Sequence, residues 1–140
     1  MKSVCPQNDF LLMRPKIWLE LHKRVKSFEY AFAGWWYVLR TQRNAWIHAL
    51  ISIAVIVLAL WLRLSAGEWS LLILTIMIVW MAEFTNTALE AVVNMTMPTP
   101  HPLAKVAKDV AAATVLVGAI GAVVVGLLIL GPPLWQRLFG

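Results

Sequence analysis

The sequence predicts an all-α membrane protein: an N-terminal interfacial amphipathic helix followed by three transmembrane helices, in one domain of 140 residues. Three observations predict it. The chain is 61% hydrophobic and 14% charged, with a mean hydropathy of +0.75, whereas soluble domains run at roughly 45–50% apolar and 25% charged. Residues 45–62, 69–82 and 110–136 carry no Asp, Glu, Lys or Arg, and about 20 mostly apolar residues suffice to cross the hydrocarbon. Eight of the twelve Lys and Arg residues precede the first of these runs: Lys2, Arg14, Lys16, Lys23, Arg24, Lys26, Arg40 and Arg43.

The elements follow in order. Residues 1–15 read as a poorly ordered tail, whose "DFLLM" is too short for the core of a cleaved signal peptide. Cys5 is the single cysteine, which excludes an internal disulfide and a cysteine-built metal cluster. Over 16–39, Ile17, Leu21, Val25 and Phe28 recur at helical spacing, and Phe32, Trp35 and Trp36 continue that side. Lys23, Lys26 and Glu29 lie elsewhere on the wheel. An aromatic face with basic flanks predicts a helix in the interface plane rather than one packed on a protein core.

"RTQRN" (40–44) reads as a polar turn into the first span, 44–64, where His48 is expected as a helix–helix hydrogen bonder. A turn containing Gly67 leads to the second span, 69–93. "NMTMPTPHP" follows, and Pro98, Pro100 and Pro102 forbid a continuous helix there. The third span, 103–130, is expected to end at Gly131-Pro132-Pro133. Its Ala111, Gly118, Ala122 and Gly126 share a face, which predicts close helix packing. Trp61, Trp69 and Trp135 read as interface anchors. Met77, Met81, Met95 and Met97 read as packing or loop residues.

Arg63 alone marks the first connection, Lys105 and Lys108 mark the second, and Arg137 the C-terminal end. The positive-inside rule therefore places the N-terminus and the second loop in the cytoplasm and the C-terminus outside. A net charge of +5 beside apolar spans points to anionic headgroups rather than nucleic acid.

The second span raises a chemical question. "AEFTNTALEAVVN" (82–94) puts Glu83, Asn86, Glu90 and Asn94 on an otherwise apolar helix. At about 100° per residue they fall within roughly an 80° sector, bordered by Thr87. Ionisable groups at membrane depth are costly unless they face a cavity or a partner, so the stripe reads as functional. A buried structural network between helices is the alternative. Lys105, Lys108 and Asp109, with His101 just before them, fall on the same cytoplasmic side as Glu90 and Asn94. Carboxylates for a divalent cation, lysines for phosphate and a carboxylate to receive a hydroxyl proton make up the requirements of phosphoryl transfer. No GxxxxGK[ST] is present, and an ion or proton carrier could use the same stripe.

"EFTNTALEAVVN…HPLAKVAKDVAAATVL" closely resembles the signature of the prokaryotic diacylglycerol kinase and undecaprenol kinase family of small integral membrane lipid kinases. "SFEYAFAGWWYVLRTQRNAWIHAL" is similar to its N-terminal helix and first span. The resemblance covers about residues 23–126. It implies a homotrimer in the bacterial inner membrane, with cytoplasmic active sites between subunits, using ATP, Mg2+ and a membrane lipid alcohol. By the match Glu83 is the general base and Asn86 holds that carboxylate or the substrate. Glu90 binds the metal that carries ATP. Lys108 and Asp109 contact the nucleotide, bordered by Thr99, Pro100 and His101, by Tyr30, and by Lys23 or Arg24. Gln42 stands where the family usually has a second acidic metal ligand, and Asn94 where it usually has Asp. The expected activity is phosphorylation of diacylglycerol to phosphatidic acid. Undecaprenol is the alternative acceptor, and a non-catalytic carrier or degenerate kinase the further one.

Overall fold

The computed structural model describes residues 9–97 and 99–140, with side chains described at 18, 20, 22–97 and 99–140. The expectations for Lys2, Cys5, Arg14, Lys16, Ile17 and Leu21 therefore lie outside the described backbone or side chains. The described chain is helical in four segments: α1 Asp9–Thr41, α2 Arg43–Leu62, α3 Ala66–Thr96 and α4 Pro102–Phe139. α2, α3 and α4 are each long and apolar enough to cross a membrane.

The chain divides into two compact units, Met1–Tyr37 and Val38–Gly140. In the first, α1 begins at Asp9, inside the stretch read as a tail. Its described side chains from Trp18 to Tyr37 are all exposed. Lys23 Nζ pairs with Glu20 at 2.9 Å, one turn back.

The second unit starts with the last turn of α1. The break before α2 is a single residue, Gln42, with extended backbone (φ −105°, ψ 116°). Its N–H still bonds to Val38 O at 2.9 Å. Ala45, fully buried, then packs with Val38 and Trp80. At the other end of α2, Arg63 adopts a left-handed conformation (φ 56°). Its N–H bonds to Leu60 O and that of Leu64 to Ala59 O, a Schellman closure that satisfies two end carbonyls. Leu64 packs against Ala59, Leu72 and Leu130, the second buried cluster.

α3 starts earlier than the span read from hydropathy because Ser65 caps it. Glu68 N–H donates to Ser65 Oγ at 3.4 Å, and Ser65 N–H donates to Glu68 Oε2 at 2.7 Å, a reciprocal capping box. α4 starts at Pro102, where a missing N–H costs nothing. His101 Nδ1 accepts from Leu103 N–H at 3.2 Å.

The expected stop at Gly131-Pro132-Pro133 is corrected: α4 runs on to Phe139. The prolines remove two backbone donors, a loss that spanning helices accommodate through neighbouring contacts. Here Leu130 is buried against α2 and α3 just before them. Beyond them the Trp135 and Phe139 rings meet at 4.6 Å between centroids, tilted by 40°, and the Arg137 guanidinium lies 5.2 Å from the centroid of the Trp61 ring.

α4 packs mainly on α3, and α2 joins both more lightly. Gly118 makes the close approach, its Cβ position lying 3.9 Å from Val79 Cα and 4.0 Å from Ala82 Cβ. Gly126 has no such neighbour. Instead Ala122 and Gly126 line an apolar cavity of about 500 Å3 among the three helices. The small-residue face thus serves packing at one end and open space at the other.

Candidate phosphotransfer site

The polar residues of α3 line two cavities. Glu83, Asn86 and Glu90 line a cavity of about 300 Å3 together with Gln42, Asn44 and His48 of α2 and its N-cap. Its apolar wall is Ala112, Val115, Leu116 and Ala119 of α4 with Ile47. Asn94, one turn further on, lines a second cavity of about 400 Å3 with Thr99, Pro100, His101, Lys105, Lys108 and Asp109. Helical spacing alone had joined Asn94 to the first set. The return of α4 along α3 brings Lys108 to Asn94 in the second.

Glu83 is the innermost group. Among the described residues it is the largest side chain buried to below 2% exposure, at 1%. Both of its carboxylate oxygens lack a hydrogen-bond partner. His48 Nε2 lies 3.9 Å from Oε2, close enough for an ion pair but too far for a hydrogen bond. His48, expected as a helix–helix hydrogen bonder, therefore faces the carboxylate without closing that bond. Thr87 Oγ1 donates to the Glu83 backbone carbonyl at 2.9 Å and not to the side chain.

Glu90 lies seven residues further along α3, about 10 Å by helical rise. It is half-buried and held on both sides: Gln42 Nε2 donates at 3.1 Å and Asn86 Nδ2 at 3.3 Å. Asn86 Oδ1 is buried with no partner. Among the described residues no three His, Cys, Asp or Glu side chains gather as a metal cluster. The oxygens here nonetheless fit a hard divalent cation that arrives on phosphates, since Mg2+ takes one or two carboxylates and keeps oxygen ligands from its substrate. Glu90 supplies the carboxylate, while Asn86 and Gln42 supply amide oxygens. Gln42 faces Glu90 through nitrogen, so cation binding requires it to turn, whereas Asn86 keeps its nitrogen on Glu90 with Oδ1 free.

In the second cavity Lys108 Nζ donates to Asn94 Oδ1 at 2.6 Å, and Lys105 pairs with Asp109 at 2.7 Å. The amide of Asn94 thus holds Lys108 without neutralising it. Lys23 and Tyr30 belong to the first unit, on α1. Asn44 was missed by sequence reading. Its signal was its place four residues before His48, on the same side of α2.

Fold and site together define a multi-span helical membrane protein with an acid–amide site among its spans and a lysine-bearing pocket beside it. The family model described as prokaryotic diacylglycerol kinase matches residues 29–130, and the chain belongs to that family. It is 46% identical over 123 residues to a diacylglycerol kinase of Synechocystis sp., covering 87% of this chain and 70% of the relative. It is 41% identical over 115 residues to the undecaprenol kinase of Bacillus subtilis, covering 82% and 94%. A diacylglycerol kinase of Helicobacter pylori is 34% identical over 108 residues, covering 72% and 84%. The chain is accordingly a membrane phosphotransferase, and membership implies ATP with a divalent metal.

Proposed function

We propose that this chain transfers the γ-phosphoryl group of ATP to the hydroxyl of diacylglycerol, giving phosphatidic acid, at the cytoplasmic face of the bacterial inner membrane. The observation that carries this reading is the buried Glu83 carboxylate with two unpartnered oxygens. Such a carboxylate is costly to maintain, and an alcohol O–H is the donor it lacks. Glu83 takes the hydroxyl proton as the alcohol oxygen bonds to the γ-phosphorus. The bond from phosphorus to the bridging oxygen breaks, and ADP leaves.

Asn86, expected to hold the Glu83 carboxylate or the substrate, donates to Glu90 instead and offers its free oxygen to the site. Glu90, with an amide oxygen of Gln42, would hold Mg2+, which would supply charge neutralisation on the phosphates. Lys108 steadies the phosphates from the second cavity, with Asp109, Thr99, Pro100 and His101 bordering the nucleotide. The family resemblance alone gives Lys23 and Tyr30 a role at the nucleotide. It also supports a homotrimer, with α1 lying in the interface. The excess of Lys and Arg before α2 supports a cytoplasmic N-terminus and an external C-terminus.

Undecaprenol is the second reading, favoured by the 94% of the Bacillus subtilis kinase that this chain covers. Competition between the two lipids for label from γ-labelled ATP tests the choice. Preferential labelling of diacylglycerol is expected. Preferential labelling of undecaprenol selects the second reading, and no labelled lipid of either kind overturns both.

A further inference from the structure

We infer that His48 is a second anchor for the acceptor hydroxyl, donating from Nε2 to the alcohol oxygen while that hydroxyl donates its proton to Glu83. The inference rests on the proposed role of Glu83 as base and deepens it. It begins with the 3.9 Å gap between His48 Nε2 and Glu83 Oε2. A direct hydrogen bond needs about 2.7–3.2 Å, so the gap is too wide for one. One oxygen placed about 2.8 Å from both atoms fits between them, with an angle at that oxygen of about 90°. Moving the side chains apart by about 0.7 Å opens this angle to the tetrahedral spread of a hydroxyl, the kind of adjustment that catalytic groups make when substrate binds.

The groups that neighbour Glu83 on α3, and Gln42, are committed to other bonds in this structure. The Asn86 nitrogen is engaged by Glu90, and its free oxygen is an acceptor only. The Gln42 nitrogen is also on Glu90. The Thr87 hydroxyl is on the Glu83 carbonyl. His48 can donate from Nε2 either as the neutral tautomer protonated there or as imidazolium.

Position supports the same assignment. His48, Ile47 and Ala119 line both the polar cavity holding Glu83 and the apolar cavity among the spans. An alcohol with an apolar body presents its hydroxyl at such a boundary. A donor on the oxygen fixes which lone pair faces the phosphorus, because the proton is already committed to Glu83. His48 thus sets the orientation of the acceptor, while Glu83 removes the proton.

The test compares wild type, His48→Ala and His48→Gln in detergent–lipid micelles, with diacylglycerol and ATP varied separately. Gln is chosen because its amide N–H can stand near the position of Nε2. His48→Ala should lower kcat/KM for the lipid by about ten- to a hundredfold, as loss of a hydrogen bond to a group developing charge does. The KM for ATP should stay within about twofold of wild type if binding of the nucleotide is untouched. His48→Gln should recover most of the loss. Equal losses in lipid and ATP parameters, or a Gln variant no better than Ala at matched thermal stability, would overturn the anchor and leave His48 a packing residue. Glu83→Gln, run in parallel, separates the two ideas. If it retains turnover, the base assignment fails, whereas a dead Glu83→Gln beside an unaffected His48→Ala refutes the anchor alone.

Discussion

Glu83 and Glu90 are chemically identical side chains on one helix, and their surroundings separate them. Glu83 is sealed and unpartnered, whereas Glu90 is gripped by two amides. One is suited to accept a proton and the other to carry a cation. Replacing Gln42 by Glu would give that cation a second carboxylate. The Gln42→Glu variant should reach half-maximal activity at a Mg2+ concentration about tenfold lower, since each added acidic ligand raises affinity for hard cations. An unchanged metal titration would remove Gln42 from the proposed metal site. Lys108 is held by a neutral partner and keeps its full charge for phosphate. Lys108→Met should raise the KM for ATP by about ten- to a hundredfold while leaving the KM for lipid near wild type. A raised lipid KM with ATP unaffected would place Lys108 elsewhere in the mechanism.

At the scale of elements, much was legible. Long uncharged runs identified α2, α3 and α4, because a chain that meets lipid cannot hide its polarity pattern. Prolines around residue 100 marked the turn, and helical spacing correctly brought Glu83, Asn86 and Glu90 to one cavity. Three features escaped. Ser65 and Glu68 form a capping box that hydropathy does not register. Pro132 and Pro133 read as a stop by local rules, but packing of Leu130 and contacts of Arg137 and Trp135 carry the helix through. The bond that Lys108, fourteen residues away, makes to Asn94 was legible only as a shared cytoplasmic side. Such a contact depends on how α4 folds back, which no spacing rule within α3 contains.

The close approach of α3 and α4 at Gly118 fixes the wall opposite Glu83. An added Cβ there meets Val79 at 3.9 Å, an ordinary contact. Gly118→Ala should therefore fold and retain activity. Gly118→Leu should force the helices apart, at about 1–3 kcal/mol for overpacking, and lower both melting temperature and activity. A fully active, equally stable Leu variant would show that α3–α4 spacing does not shape the site.

At the scale of the whole molecule, the second unit is a thin bundle with two small buried clusters. Large side chains such as Leu116, Val117, Leu127 and Leu128 are 62–71% exposed. Lipid covers such surfaces without cost, and the proposed trimer would cover part of them with protein. Light scattering of the purified protein, corrected for bound detergent, should give three times the 15.7 kDa chain mass. A monomeric mass with full activity would contradict the trimer and confine each site to one chain.

Transfer of label from γ-labelled ATP to diacylglycerol, measured in a single turnover for wild type and Glu83→Gln with ATP binding measured on the same samples, tests the central claim most directly. The account predicts a rate lower by at least about a thousandfold in the variant, as loss of an essential base produces, with ATP affinity within about twofold of wild type. Lipid labelling at the wild-type rate by Glu83→Gln would contradict it.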